Sequence, residues 1–168
     1  MSKKQVKRIL FDTSVYGELI LRPKFTEKIV EKIIDQIIVY GNKIIRNELR
    51  SISKKAKIEG RSKRVFLLKT YDFIIQNHDL KITELVDFIA NSYYKEFRKL
   101  GGNISKRKIF NDFRIIASAS IHGLDIVVSH DEKSMLVKNA IKCYKNVNDN
   151  LQLRNPDFIT FKKFMRSS

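Results

Sequence analysis

Four acidic residues flank short apolar runs or helical patterns of a basic sequence: Asp12 directly after Ile9–Phe11, Glu48 after Lys43–Ile45, Asp112 near the start of a helical pattern, and Asp131 after Ile126–Ser129. Each has an ordinary explanation on its own. Asp12 and Asp131 suit helix N-caps, Glu48 a first-turn acid favoured by the helix dipole, and Asp112 a solvated charge. Together they ask for more. Two carboxylates about 4 Å apart repel by about 4 kcal/mol at an effective dielectric of about 20, so four in one pocket need protons or a bound cation. Hard oxygen donors, with no cluster of Cys and His, favour Mg²⁺ or Mn²⁺ over Zn²⁺. Such ions activate water and neutralise charge on a phosphodiester during in-line displacement.

A scaffold must bring these acids together, and the apolar pattern predicts one. Ile9–Phe11 ends a basic leader and reads as a buried strand, after which Asp12-Thr13-Ser14 supplies three helix-capping side chains. From Thr26, the residues Ile29, Val30, Ile33, Ile34, Ile37 and Ile38 recur on one helical face and Gly41 offers a stop, predicting a helix across this stretch. Lys43–Ile45 leaves room for a short strand, with Asn47 capping a helix that Glu48 opens and that runs to about Gly60. Helical patterns follow over Ser62–Gln76 and Thr83–Leu100, and Gly101-Gly102 marks a turn. Lys106-Arg107-Lys108 leads into a helix carrying Ile109, Phe113, Ile116, Ala117 and Ser120, stopped by His122-Gly123. Ile126–Ser129 reads as a β-branched buried strand, followed by a helix containing Met135, Leu136 and Ala140, and Phe158–Phe161 as a last strand. Helices alternating with short strands, without hairpin turns, predict one α/β domain over residues 1–168. It is a three-layer α/β/α sandwich with a mainly parallel sheet and a helical middle at about residues 61–100. In such a sheet, functional groups gather at the carboxyl ends of the strands.

The chain of 168 residues carries 34 Lys plus Arg against 18 Asp plus Glu, a net charge of +16 that calls for a polyanionic partner. Nucleic acid fits, and the charge alone would equally suit an anionic membrane or an acidic protein. A hydrophobic share of 43% with only 6 Gly and 2 Pro excludes disordered, collagen-like and low-complexity classes. Cys143 is the one cysteine, Met1–Arg8 lacks the apolar core of a signal peptide, and no apolar run approaches the roughly 20 residues that span a bilayer. A cytoplasmic protein with no membrane partner is expected.

Three basic clusters are candidates for tracking a nucleic-acid backbone: Lys54, Lys55 and Lys57; Arg61, Lys63 and Arg64; and Lys106, Arg107 and Lys108. The plainer reading of each is a solvated face. Tyr93, Tyr94 and Phe97 offer rings for base stacking, with core packing the better account of Phe97. His122 and His78 read as a helix end and a loop residue, while His130 stands beside Asp131 within reach of a phosphate. Cys143 reads as a small buried apolar group.

Several of these stretches resemble the PIN-domain ribonucleases, and in particular the VapC-like toxins of prokaryotic toxin and antitoxin pairs. Asp12-Thr13-Ser14-Val15 after an apolar strand is similar to that family's opening block, and Asn47-Glu48-Leu49-Arg50 to its second acidic block. Asp112-Phe113-Arg114-Ile115-Ile116-Ala117-Ser118-Ala119, followed by Ile126-Val127-Val128-Ser129-His130-Asp131, is similar to its most recognisable segment. Phe158–Phe161 with Phe164 resembles its closing strand and terminal phenylalanine. The resemblance implies a PIN-like α/β/α sandwich and a metal-dependent endoribonuclease that hydrolyses RNA phosphodiester bonds with Mg²⁺ or Mn²⁺. It implies Asp12, Glu48 and Asp112 as the main metal ligands, Asp131 as a fourth acid, and Ser14 as a supporting hydroxyl. It also implies RNA as the partner, a small antitoxin protein and a homodimer. Two alternatives stay open: a PIN-like module that binds RNA or an acidic protein without cutting, and a flap-type DNA nuclease.

Overall fold

The strand β1 (Lys7–Phe11) buries its last three side chains, and the chain then runs through α1 (Thr13–Leu21) and α2 (Pro23–Asp35) into β2 (Ile37–Asn42). The computed structural model describes residues 4–167. Beyond β2 come α3 (Lys43–Arg50), β3 (Lys57–Ile58), β4 (Arg61–Ser62), α4 (Lys63–Ile75), β5 (Asp79–Leu80) and α5 (Glu84–Lys99). The rest of the chain forms α6 (Lys106–Ile121), β6 (Ile126–Ser129), α7 (Lys138–Asn150), β7 (Asp157–Thr160) and α8 (Phe161–Arg166). Five strands make one sheet in the order β5-β2-β1-β6-β7, every pair parallel, with Leu10 opposite Tyr40 on one side of β1 and Phe11 opposite Val128 on the other. Helices α5, α6 and α7 pack together as one group and α1 to α4 as another, so the sheet is flanked by helices as expected. Among the described residues, no helix is long and apolar enough to cross a membrane.

The stretch 26–60 departs from the sequence reading in three places. The expected helix from Thr26 ends at Asp35, and Ile37, Ile38 and Val39 form β2 instead. There, buried Ile37 and Val39 alternate with half-buried Ile38 and Tyr40, the period of a strand. Ile29 to Ile38 satisfies a helical spacing as well, and pairing with β1 settles the conflict. Gly41 is no helix stop: it lies within β2, where a Cβ would collide with the Tyr71 hydroxyl. Lys43–Ile45 is helical, not a strand, because Asn42 caps α3 by accepting from the N–H groups of Ile44 and Ile45 at 3.0 Å each. Asn47 is therefore interior, and Glu48 sits in the last turn of α3 instead of opening it. Residues 51–62 are not helical either; they form a loop and a two-strand hairpin pairing Lys57 with Ser62 and Ile58 with Arg61. Its two-residue turn needs left-handed backbone at both positions, and Glu59 and Gly60 adopt φ of +48° and +76°.

Elsewhere the differences are smaller. Ser62 caps α4 by accepting from Val65 N–H, and α5 and α6 end near Gly101-Gly102 and His122-Gly123 as expected. Met135 and Leu136 precede α7 instead of lying within it, and Phe161 opens α8 after the last strand. Tyr93 is fully buried, its hydroxyl 2.6 Å from Asn148 Oδ1, so it is core and not a stacking surface. Phe97 is also core, edge-on to Phe113 at 5.6 Å, and Cys143 is buried.

Candidate active site

From β1 the chain moves to β2 and β5 on one side and later to β6 and β7 on the other. The strand order therefore reverses between β1 and β6, and a crevice opens at their carboxyl ends. Asp12 follows β1 at this point. It occupies the N-cap position of α1, but its side chain does not cap the helix. The carboxylate instead accepts hydrogen bonds from Ser14 Oγ and Ser129 Oγ, each at 2.9 Å. Those hydroxyls are held in turn by backbone: Ser14 Oγ accepts from His130 N–H and Ser129 Oγ from Asp131 N–H, both at 2.9 Å. A serine clasp thus ties the end of β1 to the end of β6 around one carboxylate.

The other acids arrive on separate elements. Thr13 Oγ1 donates to Glu48 Oε2 at 2.5 Å, joining the start of α1 to the last turn of α3. Asp131 lies in the turn after β6, where Oδ1 accepts from the N–H groups of Lys133 and Ser134 at 2.9 and 3.1 Å. Asp112, on α6, meets Ser134 Oγ at 2.9 Å, and that same hydroxyl contacts the Asp131 carboxylate. A serine hydroxyl has one hydrogen to give. Both contacts are satisfied together when Asp112 carries a proton and donates to Ser134, which donates to Asp131.

The electrostatics agree with that sharing. Burial pushes the Asp112 carboxyl up to about 8, with the negative charges of Asp12, Asp131 and Glu48 adding to the effect. Burial also raises Asp12, which is only 4% exposed, and Glu48, which feels the charge of Asp12. Asp12, Glu48 and Asp112 thus each sense others of the set. Among the described residues none of the four carboxylates is in an ion pair, whereas Asp72, Asp87 and Asp125 are each held by an arginine. In a chain of net charge +16, this pocket is the exception.

The sequence profile of the PIN domain matches residues 9–140, more than half of the chain. The chain belongs to the PIN-domain family, a family of nucleases. No curated protein matches it. Solved structures share the fold. The DNA-bound VapBC of Salmonella typhimurium is 15% identical, with 93% of this chain and 98% of that one covered at a TM-score of 0.58. VapBC-1 of nontypeable Haemophilus influenzae is 16% identical over 92% and 98% of the two chains, with a TM-score of 0.56. FitAcB of Neisseria gonorrhoeae is 23% identical over 79% and 92%, at 0.54.

The acids of this PIN domain fit a divalent cation by their chemistry: hard oxygen donors, buried at Asp12 and half-buried at Glu48, Asp112 and Asp131, and free of ion pairs with Lys or Arg among the described residues. Glu48 Oε1 and Asp112 Oδ1 accept no protein hydrogen bond among the described residues, leaving oxygens available. As placed, the side chains converge without closing, since no three Asp, Glu, His or Cys among the described residues form a ready ligand group. The hydroxyls of Thr13 and Ser134, and that of Ser129, are contributors that the sequence alone does not assign. Ser134 follows Asp131 by three positions, a spacing at which an Asp side chain bonds the backbone N–H, and this is the one signal that points to it.

The basic clusters lie on elements that adjoin or carry two of the acids. Lys54, Lys55, Lys57 and Arg61 are exposed on the loop and hairpin that follow α3, while Lys63 and Arg64 are half-buried at the start of α4. Arg64 Nη1 donates to the carbonyl of Arg50 at 3.3 Å, beside the turn that carries Glu48. Lys106, Arg107 and Lys108 are exposed on the first turn of α6, with Lys108 one turn before Asp112. Lys106 is braced by Asn91 Oδ1 at 2.6 Å and lies 4.9 Å over the Phe110 ring.

Proposed function

We propose that the protein is a metal-dependent endoribonuclease that hydrolyses RNA phosphodiester bonds in the cytoplasm, and that it is the toxin of a toxin and antitoxin pair. One observation carries this reading: four carboxylates without an ion-pair partner among the described residues are gathered near the strand-order reversal of a strongly basic PIN domain. Asp12, Glu48, Asp112 and Asp131 would hold Mg²⁺ or Mn²⁺, and a bound ion would lower the pKa of water and neutralise phosphodiester charge. Ser14 and Ser129 fix the Asp12 carboxylate in place, and Ser134 keeps Asp112 and Asp131 at a shared distance. Lys54, Lys55, Lys57, Arg61, Lys63 and Arg64 on one side, and Lys106, Arg107 and Lys108 on the other, would position the strand by its phosphates. The likeness to chains of VapBC and FitAcB complexes supports a small antitoxin protein as partner, and a homodimer accords with the family.

The test is cleavage of single-stranded RNA and of matched DNA in Mg²⁺, Mn²⁺ or chelator, with wild type and Asp12→Asn. RNA should be cut only with a divalent ion, and the variant should lose more than the roughly 10–100-fold that outer-shell changes cost metal sites. Equal cutting by both proteins rejects the site, and preference for DNA rejects the ribonuclease.

A further inference from the structure

Beside His130, the residue that precedes Asp131, α1, α2 and α8 line a cavity of about 460 Å³. Its wall carries four cations, Arg22, Lys28, Lys162 and Arg166, against one carboxylate, Glu18, which faces His130 Nε2 at 3.5 Å. None of the four is in an ion pair among the described residues, although Arg46, Arg114 and Arg154 all hold carboxylates elsewhere. The remaining wall is apolar: Met165, with Phe25 and Phe161 edge to face at 5.6 Å. The Arg22 guanidinium lies 5.2 Å from the centre of the Phe25 ring, a cation on an aromatic face. Two links join this cavity to the acids. Glu18 stands one turn after Ser14 on α1, and His130 N–H donates to Ser14 Oγ, which donates to Asp12.

We propose that this cavity seats a nucleotide unit of the RNA strand, next to the bond being cut, and so deepens the nuclease reading on which it rests. The acids themselves repel the strand, so a neighbouring phosphate needs a cationic seat, which Arg22, Lys28, Lys162 and Arg166 supply. A phosphate alone would leave the aromatic wall unused. The cavity is large enough for a base against the half-buried Phe25 and Met165, and base–aromatic stacking tolerates any base because each has a π-face. Its volume lies within the range of sites that take small organic ligands.

Two measurements on the full chain, both in chelator so that no turnover occurs, decide the matter. In the first, amide NMR signals are followed while a nucleoside 5′-monophosphate, the bare nucleoside or inorganic phosphate is added. Signals of residues 22, 24–28, 130 and 161–166 should move, with the nucleotide binding at least about tenfold tighter than either fragment. Equal binding of inorganic phosphate, or shifts confined to residues 54–64, overturns the proposal. In the second, a fluorescent single-stranded oligoribonucleotide is bound by wild type and by Arg22→Glu/Lys162→Glu, two exposed positions. The double variant should bind at least about tenfold more weakly, with a log–log salt slope reduced by about 0.7 for each phosphate it no longer neutralises. Nucleotide binding with no change in oligonucleotide affinity would mark a site for free nucleotide and overturn the strand role. Absence of RNA cleavage in the separate assay would sink the nuclease while these two bindings still stand or fall alone.

Discussion

Replacing Asp112 by asparagine should make the metal-free protein more stable, by an amount that depends on pH. The Asp112 carboxyl titrates at about 8 in the folded chain, against 3.8 for the same group in water. Between those values the folded state holds a proton that the unfolded state has released. Stability therefore falls as pH rises through the window, by about 1.4 kcal/mol per pH unit, and levels off above it. From about pH 5 to about pH 8 the loss comes to roughly 4 kcal/mol. Asparagine keeps the shape of the protonated acid and removes the titration. In chelator, wild type and Asp112→Asn should unfold together only below about pH 4, where the carboxyl is protonated in both states. From about pH 5 to about pH 8 the variant's lead should grow by roughly 4 kcal/mol, on the order of 10 °C in Tm for a chain of this size. Asp12 and Glu48 are raised too, so the variant keeps a slope of the same sign. Urea and thermal unfolding followed by circular dichroism across this range would measure it. Parallel curves for the two proteins, or an asparagine variant less stable at pH 8, would refute the idea of an unpaired buried charge at this position.

Protons and divalent ions compete for the same oxygens, so saturating Mn²⁺ should raise Tm more near pH 8 than near pH 6. The gain is about 2.7 kcal/mol at a hundredfold excess over Kd, and an equal shift at both pH values would count against Asp112 as a ligand. Asn42→Ala removes the α3 cap and the 3.1 Å bond to Ser118 Oγ. It should cost about 2 kcal/mol in urea unfolding. Gly41→Ala drives a methyl against the Tyr71 hydroxyl, which lies 2.6 Å from Asp79 Oδ1. An unfolding loss of about 1–3 kcal/mol is expected, and a neutral result would mean that β2 and α4 give way easily.

The places of Asp12 and Asp131 are legible in the sequence because each comes just after a strand, an element that short β-branched runs such as Ile126-Val127-Val128 mark clearly. The neighbourhood of Glu48 is obscured for a local reason. Ile29 to Ile38 fits helical spacing throughout, and no Gly or Pro marks the true end at Asp35, so the pattern puts the second strand one segment too late. With the strand displaced, Asn47 takes the capping role that belongs to Asn42. Residues 51–62 carry helix-favouring lysines and alanine, yet Glu59-Gly60 turns back as a hairpin, a choice that the pairing of Ile58 with Arg61 makes and that composition does not show. Ser129 and Ser134 are hidden for another reason. Their roles arise from touching Asp12 and Asp112, residues far away in the sequence, and no spacing encodes that. The cationic cavity is equally invisible, since Arg22 and Lys162 meet only once α8 folds back beside α2.

The place of β1 in the middle of the sheet gives the molecule a timetable. It is synthesised before the other strands, yet its neighbour β6 comes more than a hundred residues later, at Ile126–Ser129. A nascent chain halted before that point would display β1 with a bare edge, an Asp12 lacking its Ser129 partner, and no Asp131 at all. The acidic cluster is complete only once β6 and the turn after it have been made and set beside β1. Prematurely terminated polypeptides therefore leave the ribosome without it.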